Sequence, residues 1–159
     1  MTEQTTNIAM TEEEFLSLNI DKQCEILVAL AVEALPLLRP YKRAFSPASD
    51  AVKVLQEHLK NPTNAETVSR FLTHKDLNKD LSALFDFVEE DEAAIASLDI
   101  IAYATGANAL DTFEKEQIYD GIPDPVLSAK PETVVAAVTS YRSLEEAGLV
   151  QPFANVLDQ

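Results

Sequence analysis

The stretch Glu92-Ala-Ala-Ile-Ala-Ser-Leu-Asp-Ile-Ile-Ala-Tyr-Ala-Thr-Gly-Ala-Asn-Ala-Leu-Asp-Thr-Phe-Glu-Lys-Glu-Gln-Ile118 reads as one long helix. Ile95, Leu98, Ala102, Thr105, Ala109 and Phe113 recur on one side of it. Ala102, Ala104, Gly106, Ala107 and Ala109 keep its middle slim, so neighbouring helices can approach closely. This pattern predicts the central helix of a bundle.

Further helical patterns lie on either side. Thr11 and Glu14 form a capping box ahead of a short helix to about Leu18, and residues 1–10 are polar and expected to fray. Asp21 is placed to cap a second helix, with Cys24, Leu27, Val28, Ala31, Leu35 and Leu38 near a 3.6 period and Pro40 as its stop. Ser46-Pro47 reads as an N-cap with proline at the first helical position; Asn61-Pro62 ends that helix. Thr63 and Glu66 suggest a second capping box, before Val68, Phe71 and Leu72. Leu77, Leu81, Leu84, Phe85 and Val88 predict an amphipathic α-helix. Gly121-Ile-Pro-Asp-Pro125 reads as a rigid loop. Pro131 opens a last helix with Val134, Val135, Val138, Tyr141 and Leu144 inward and Gly148 as its stop. Seven helical patterns and no alternating strand predict an all-α fold: one domain over 11–159, a bundle of about seven helices.

Composition fits a soluble globular chain: of its 159 residues, 47% are hydrophobic and 25% charged. The single cysteine, Cys24, has no internal disulfide partner, which suggests a reducing compartment. The longest apolar run, Ile26 to Leu38, is short for a membrane span, and no basic segment precedes an apolar one at the N-terminus. A cytoplasmic protein is expected. The net charge of −15 disfavours nucleic acid and anionic membrane as partners.

That charge is concentrated. Between Asp86 and Asp124 there are eleven carboxylates and one base, Lys115, which carry −10 of the total. Glu89, Glu90, Asp91 and Glu92 stand where the long helix begins. Acids there complement the helix dipole, so they read equally as a solvated cap and as a partner-binding surface. Asp111, Glu114, Glu116, Asp120 and Asp124 stand at the other end of the helix and just beyond. Carboxylates at a helix C-terminus oppose the dipole by about 0.3–1 kcal/mol each, and a cationic partner supplies a reason for them. Tyr119 among them is a candidate aromatic anchor.

Reactive chemistry finds little footing in the sequence. His58 and His74 belong to no metal-ligand spacing, and no Asp-x-Asp-x-Asn-Gly loop occurs. Cys24 lies on an apolar helix face, as a small buried hydrophobe does. Gly106, Gly121 and Gly148 stand alone and form no phosphate-cradling loop. No cofactor, metal or catalytic residue is assigned, and the chain is read as a non-enzyme.

Asp21-Lys-Gln-Cys-Glu-Ile-Leu, Leu81-Ser-Ala-Leu-Phe-Asp-Phe-Val-Glu-Glu and Ala94-Ile-Ala-Ser-Leu-Asp-Ile-Ile-Ala-Tyr-Ala, with the proline loop Gly121 to Pro125 before the last helix, form a familiar layout. Over roughly residues 15–145 it resembles the small all-helical immunity proteins of bacterial polymorphic-toxin and contact-dependent growth inhibition systems. The resemblance implies a protein that binds a cognate toxin in the producing cell and blocks its active site or substrate groove. Such toxins are often nucleases with basic surfaces, to which an acidic inhibitor is complementary. An acidic adaptor or secretion chaperone that holds an effector in an apolar groove is the alternative. A helical enzyme using paired carboxylates and a metal is a third reading.

Overall fold

The computed structural model describes residues 10–157, which are helical with no strand. The helices are α1 (Glu12–Leu16), α2 (Ile20–Ala34), α3 (Lys42–Lys60), α4 (Ala65–Ser69), α5 (Glu92–Lys115), α6 (Asp124–Leu127), α7 (Pro131–Val134), α8 (Ala136–Glu146) and α9 (Phe153–Leu157). Three 3-10 segments, Leu35–Leu38, Arg70–Leu72 and Leu81–Phe87, join or extend them. That makes nine α-helices among the described residues where seven patterns were read: the Leu77–Val88 pattern is not one of them, the last long pattern divides at Val135, and α6 and the tail's α9 are added. The frayed segment expected at 1–10 falls outside the described residues except for Met10. That residue packs on the core, and its carbonyl accepts from Arg142 Nη2 at 2.9 Å.

α5 runs through the hydrophobic core, packed against α2, α3, α4, α6, α7 and α8. Its burial is wider than the one-sided stripe expected. Ala94, Ser97, Ile100, Ile101, Ala104, Ala107, Asn108 and Thr112 are buried as well as Leu98, Thr105, Ala109 and Phe113; Ile95 and Ala102 are half-buried. By length and composition, α5 is the one helix among the described residues apolar enough to cross a membrane, yet most of it is buried inside this protein. Its buried polar side chains are satisfied close at hand. Thr105, Asn108 and Thr112 each donate to the carbonyl four residues earlier, at 2.7–2.8 Å. Ser97 Oγ donates to Ala34 O at 2.8 Å and ties α5 to the end of α2.

Small residues allow this crowding. A Cβ on Gly106 would stand 2.7 Å from the Ala129 Cβ and 3.6 Å from Leu72 Cδ1. The segment after α6 therefore lies directly on the backbone of α5.

Several local expectations meet a different structure. The capping box of Thr11 and Glu14 forms in both directions. The cap of α2 is Asn19, two residues before Asp21, accepting from Lys22 N at 2.9 Å. Likewise Asn64, beside Thr63, caps α4 by accepting from Thr67 N at 2.8 Å. α3 begins at Lys42, so Ser46-Pro47 lies inside it, with Pro47 buried. The amphipathic pattern from Leu77 to Val88 is not an α-helix. Leu77 is 68% exposed, Asp80 caps Ser82, and a 3-10 segment starting at Leu81 buries Leu81 and Leu84. Leu81 and Leu84, three residues apart, share one side of this tight turn, and the Asp80 cap selects the later start. Gly148, at φ +74°, ends α8 with the Gly148 N–H bonded to Glu145 O and the Leu149 N–H to Leu144 O.

α5 ends in the same double bond pattern, Gln117 N–H to Glu114 O and Ile118 N–H to Phe113 O, with a non-glycine in the left-handed position at φ 59°. Gln117→Gly should raise unfolding free energy by about 1 kcal/mol, since left-handed backbone costs a side-chain-bearing residue roughly that amount. Gly106→Ala should do the reverse despite alanine's better helix propensity. The close Ala129 Cβ cannot rotate away, and a loss of about 1–3 kcal/mol is expected. Urea unfolding of both variants checks the pair.

Candidate functional site

The two acidic clusters stand at opposite ends of α5, a 24-residue helix about 36 Å long. Its buried middle offers no acidic face between them. The N-terminal cluster is largely architectural. Asp91 caps α5, with Oδ1 accepting from Ala94 N at 3.1 Å and Oδ2 accepting from Tyr41 Oη–H at 2.7 Å. The Tyr41 hydroxyl, followed by the Ala94 backbone N–H, holds the Asp91 carboxyl below the usual carboxylate range. Glu92 lies in the first turn, where it meets the positive end of the dipole. Glu89 and Glu90 are exposed on the approach to that turn, with Glu89 at φ 55°.

The C-terminal cluster divides further. Asp111 is only partly exposed and pairs with Lys115 at 2.9 Å; the same ammonium reaches Asp21 on α2 at 2.7 Å. Hydrogen bonds donated by Lys115 to Asp21 and then to Asp111 hold its pKa above the ordinary value. Glu116 Oε1 accepts from Ala65 N, the first residue of α4, at 3.3 Å. Two acids that oppose their own helix dipole thus serve a lysine and a second helix N-terminus. Asp124 opens α6, again at the favourable end. Glu114, Asp120 and Asp124 are exposed and make no ion pair among the described residues. Tyr119 beside them is 70% exposed, with Ile118 and Leu127 about two-fifths exposed. Glu114, Tyr119, Asp120 and Asp124 form the acidic segment, with an aromatic tip, that the local structure leaves unused.

Sequence reading did not reveal the clefts beside this segment. One, of about 590 Å³, has walls that include Ile20, Leu110, Pro131 and Val134, with Glu114, Lys115 and Lys130 also lining it. Asp111, Lys115 and Cys24 belong equally to a second cleft of about 400 Å³ that holds His58. The ion-pair bridge from Asp21 through Lys115 to Asp111 therefore borders both. Cys24 is buried, with its thiol toward Ala107 O at 3.7 Å, and burial first of all pushes its pKa up to about 12. A thiol held there is no nucleophile. Among the described residues no group of three or more His, Cys, Asp or Glu is placed to hold a metal ion.

His58 is fixed in one tautomer. Its Nδ1 accepts from Thr63 N at 2.9 Å. Thr112 Oγ1 gives its own proton to Asn108 O, so it accepts from His58 Nε2–H at 3.1 Å. The bond from Thr63 N–H requires an unprotonated Nδ1 and hence a neutral ring, and burial lowers the His58 pKa, with Lys115 acting in the same direction and Asp111 and Glu116 against it.

No family model, curated protein or solved structure matches this chain.

Because the fold favours neutral His58, the unfolded chain takes up a proton first on acidification. The stability His58 contributes is therefore complete above the ordinary imidazole pKa of about 6.5 and is lost as pH falls below it. Urea midpoints should drop between about pH 7.5 and 5.5, and His58→Gln should flatten that slope; equal slopes would remove His58 as its source.

Proposed function

We propose that this chain is an immunity-type inhibitor: a non-enzymatic cytoplasmic protein, needing no cofactor, that binds and neutralises a basic, nuclease-type toxin domain. The observation that carries the reading is the exposed segment Glu114, Tyr119, Asp120 and Asp124, whose acids find no internal counter-ion among the described residues. Three exposed carboxylates in the same stretch of chain as an exposed aromatic ring suit a cationic surface. The charges speed encounter and reject acidic partners, and the ring supplies a contact that salt does not screen. Of the acids read from the sequence, Asp91, Asp111 and Glu116 are assigned to the fold; Glu89, Glu90 and Glu92 are a secondary acidic face at the far end of α5. The reading takes the chain as one domain organised round α5, whose exposed acids stand at the two helix ends.

The adaptor reading draws on a different observation, the mostly apolar cleft of about 590 Å³ next to the same segment. The two readings part in salt dependence. A charge-guided inhibitor weakens as salt rises, whereas a groove that buries apolar surface does not.

Co-expression with the toxin domain encoded beside its gene should protect cells from that toxin. The triple variant Glu114→Lys, Asp120→Lys, Asp124→Lys should weaken calorimetric affinity by about tenfold or more at low salt, with the melting temperature unchanged. Binding that ignores both the reversal and salt would move the contact to the apolar cleft and favour the adaptor; absence of protection would end the immunity reading.

A further inference from the structure

We propose that the cleft around Asp99 is a seat for an arginine side chain presented by the basic protein partner. The inference rests on the reading that the partner is basic, and it names the contact that would anchor it.

Asp99 lies on α5 and is half-buried, unlike the exposed acids at the helix ends. It lines a cleft of about 220 Å³ where α5, the 3-10 segment Leu81–Phe87 and the α6–α7 region meet. Leu72, Phe85, Ala102 and Pro125 make its walls largely apolar. Burial alone governs the titration of Asp99 and pushes its pKa up; no basic group and no hydrogen bond among the described residues counters it. Asp111 and Asp91, by contrast, have Lys115 and Tyr41. No buried polar side-chain atom in the described structure lacks a partner, so the Asp99 oxygens reach solvent through the cleft. A carboxylate kept against apolar walls without a counter-ion is poised for an incoming cation, which would offset its lost hydration.

The size and lining select the cation. The volume equals roughly seven liquid waters, enough for the end of one long side chain. It falls below the about 300–1,000 Å³ typical of small-molecule sites. A planar guanidinium can meet the carboxylate with two parallel N–H donors. Tyr103, Ser128 and Thr133, which also line the cleft, carry hydroxyls of the kind that accept from its remaining donors. An ammonium matches this fork less well and is more strongly hydrated. One acid of the exposed segment, Asp124, immediately precedes the lining residue Pro125 in the chain. A partner attracted by the segment would bring its basic side chains to the cleft.

Titrating the isotopically labelled full chain with N-acetyl-argininamide tests the seat without any toxin. Saturable shifts should appear at Asp99, Tyr103 and Thr133, and the Asp99 carboxyl titration should move to lower pH. N-acetyl-lysinamide should bind several-fold more weakly, and Asp99→Asn, nearly isosteric, should weaken the argininamide by about tenfold or more. Shifts confined to Glu114 and Asp120, or none at Asp99, would overturn the proposal. Free arginine binding tenfold more tightly than the blocked form would also overturn it, in favour of a small metabolite. If Asp99→Asn leaves toxin affinity intact while the Glu114, Asp120 and Asp124 reversals destroy it, the seat fails and the inhibitor reading stands. Argininamide binding at Asp99 with no protection from the toxin would support the seat and end the inhibitor reading.

Discussion

The structure depends on the closeness with which other segments approach α5. The contact of Ala129 against the helix backbone at Gly106 leaves no room for one additional methyl group. Around that point alanines and a glycine replace the large side chains that would hold neighbours apart, and the bulk of the core comes instead from Leu27, Leu30, Tyr141 and other residues of the surrounding helices. Such a helix cannot show a polar face to water along its middle. Its few buried polar groups are therefore Thr, Asn and Ser, which return their donors to carbonyls on α5 or on α2.

Burying the middle of α5 has an electrostatic corollary. Apart from half-buried Asp99, the carboxylates on this segment stand at its two ends, where the dipole treats them oppositely. At the N-terminus they cap and complement. At the C-terminus Asp111 and Glu116 are compensated by Lys115 and the first N–H of α4, while Glu114 and Asp120 are not. The distinction between structural and available charge follows from the fold, although all of these residues look alike in the chain.

That is also the boundary of what the sequence made legible. The long helix, the Thr11–Glu14 box, the Asn61-Pro62 stop and the Gly148 terminus depend on residues within one or two turns of each other, and these appear as read, apart from a slightly earlier end of α5. Where two neighbouring residues could each cap, as with Asn19 and Asp21 or Thr63 and Asn64, tertiary packing chooses the entry point. The Leu77–Val88 spacing suits an α-helix, so spacing alone pointed away from the tighter turn that the Asp80 cap starts. The acidic region was evident from composition. The partners that remove members from it were not: Tyr41 is 50 positions from Asp91, Ala65 is 51 from Glu116, and Asp21 is 94 from Lys115. Asp99 gave no sequence signal, because its cleft is assembled from four separate stretches of chain.

Cys24 gives the molecule an internal clock. Its thiol faces the Ala107 carbonyl across the α2–α5 contact and is almost wholly protonated at neutral pH. Although Cys24 borders two clefts, only 4% of it is exposed, so an electrophile or oxidant meets the thiol far more readily when α2 lifts from α5. The pace of chemical modification at this one sulfur therefore counts the openings of the contact on which the bundle is built, and any partner that clamps the two helices together would slow it.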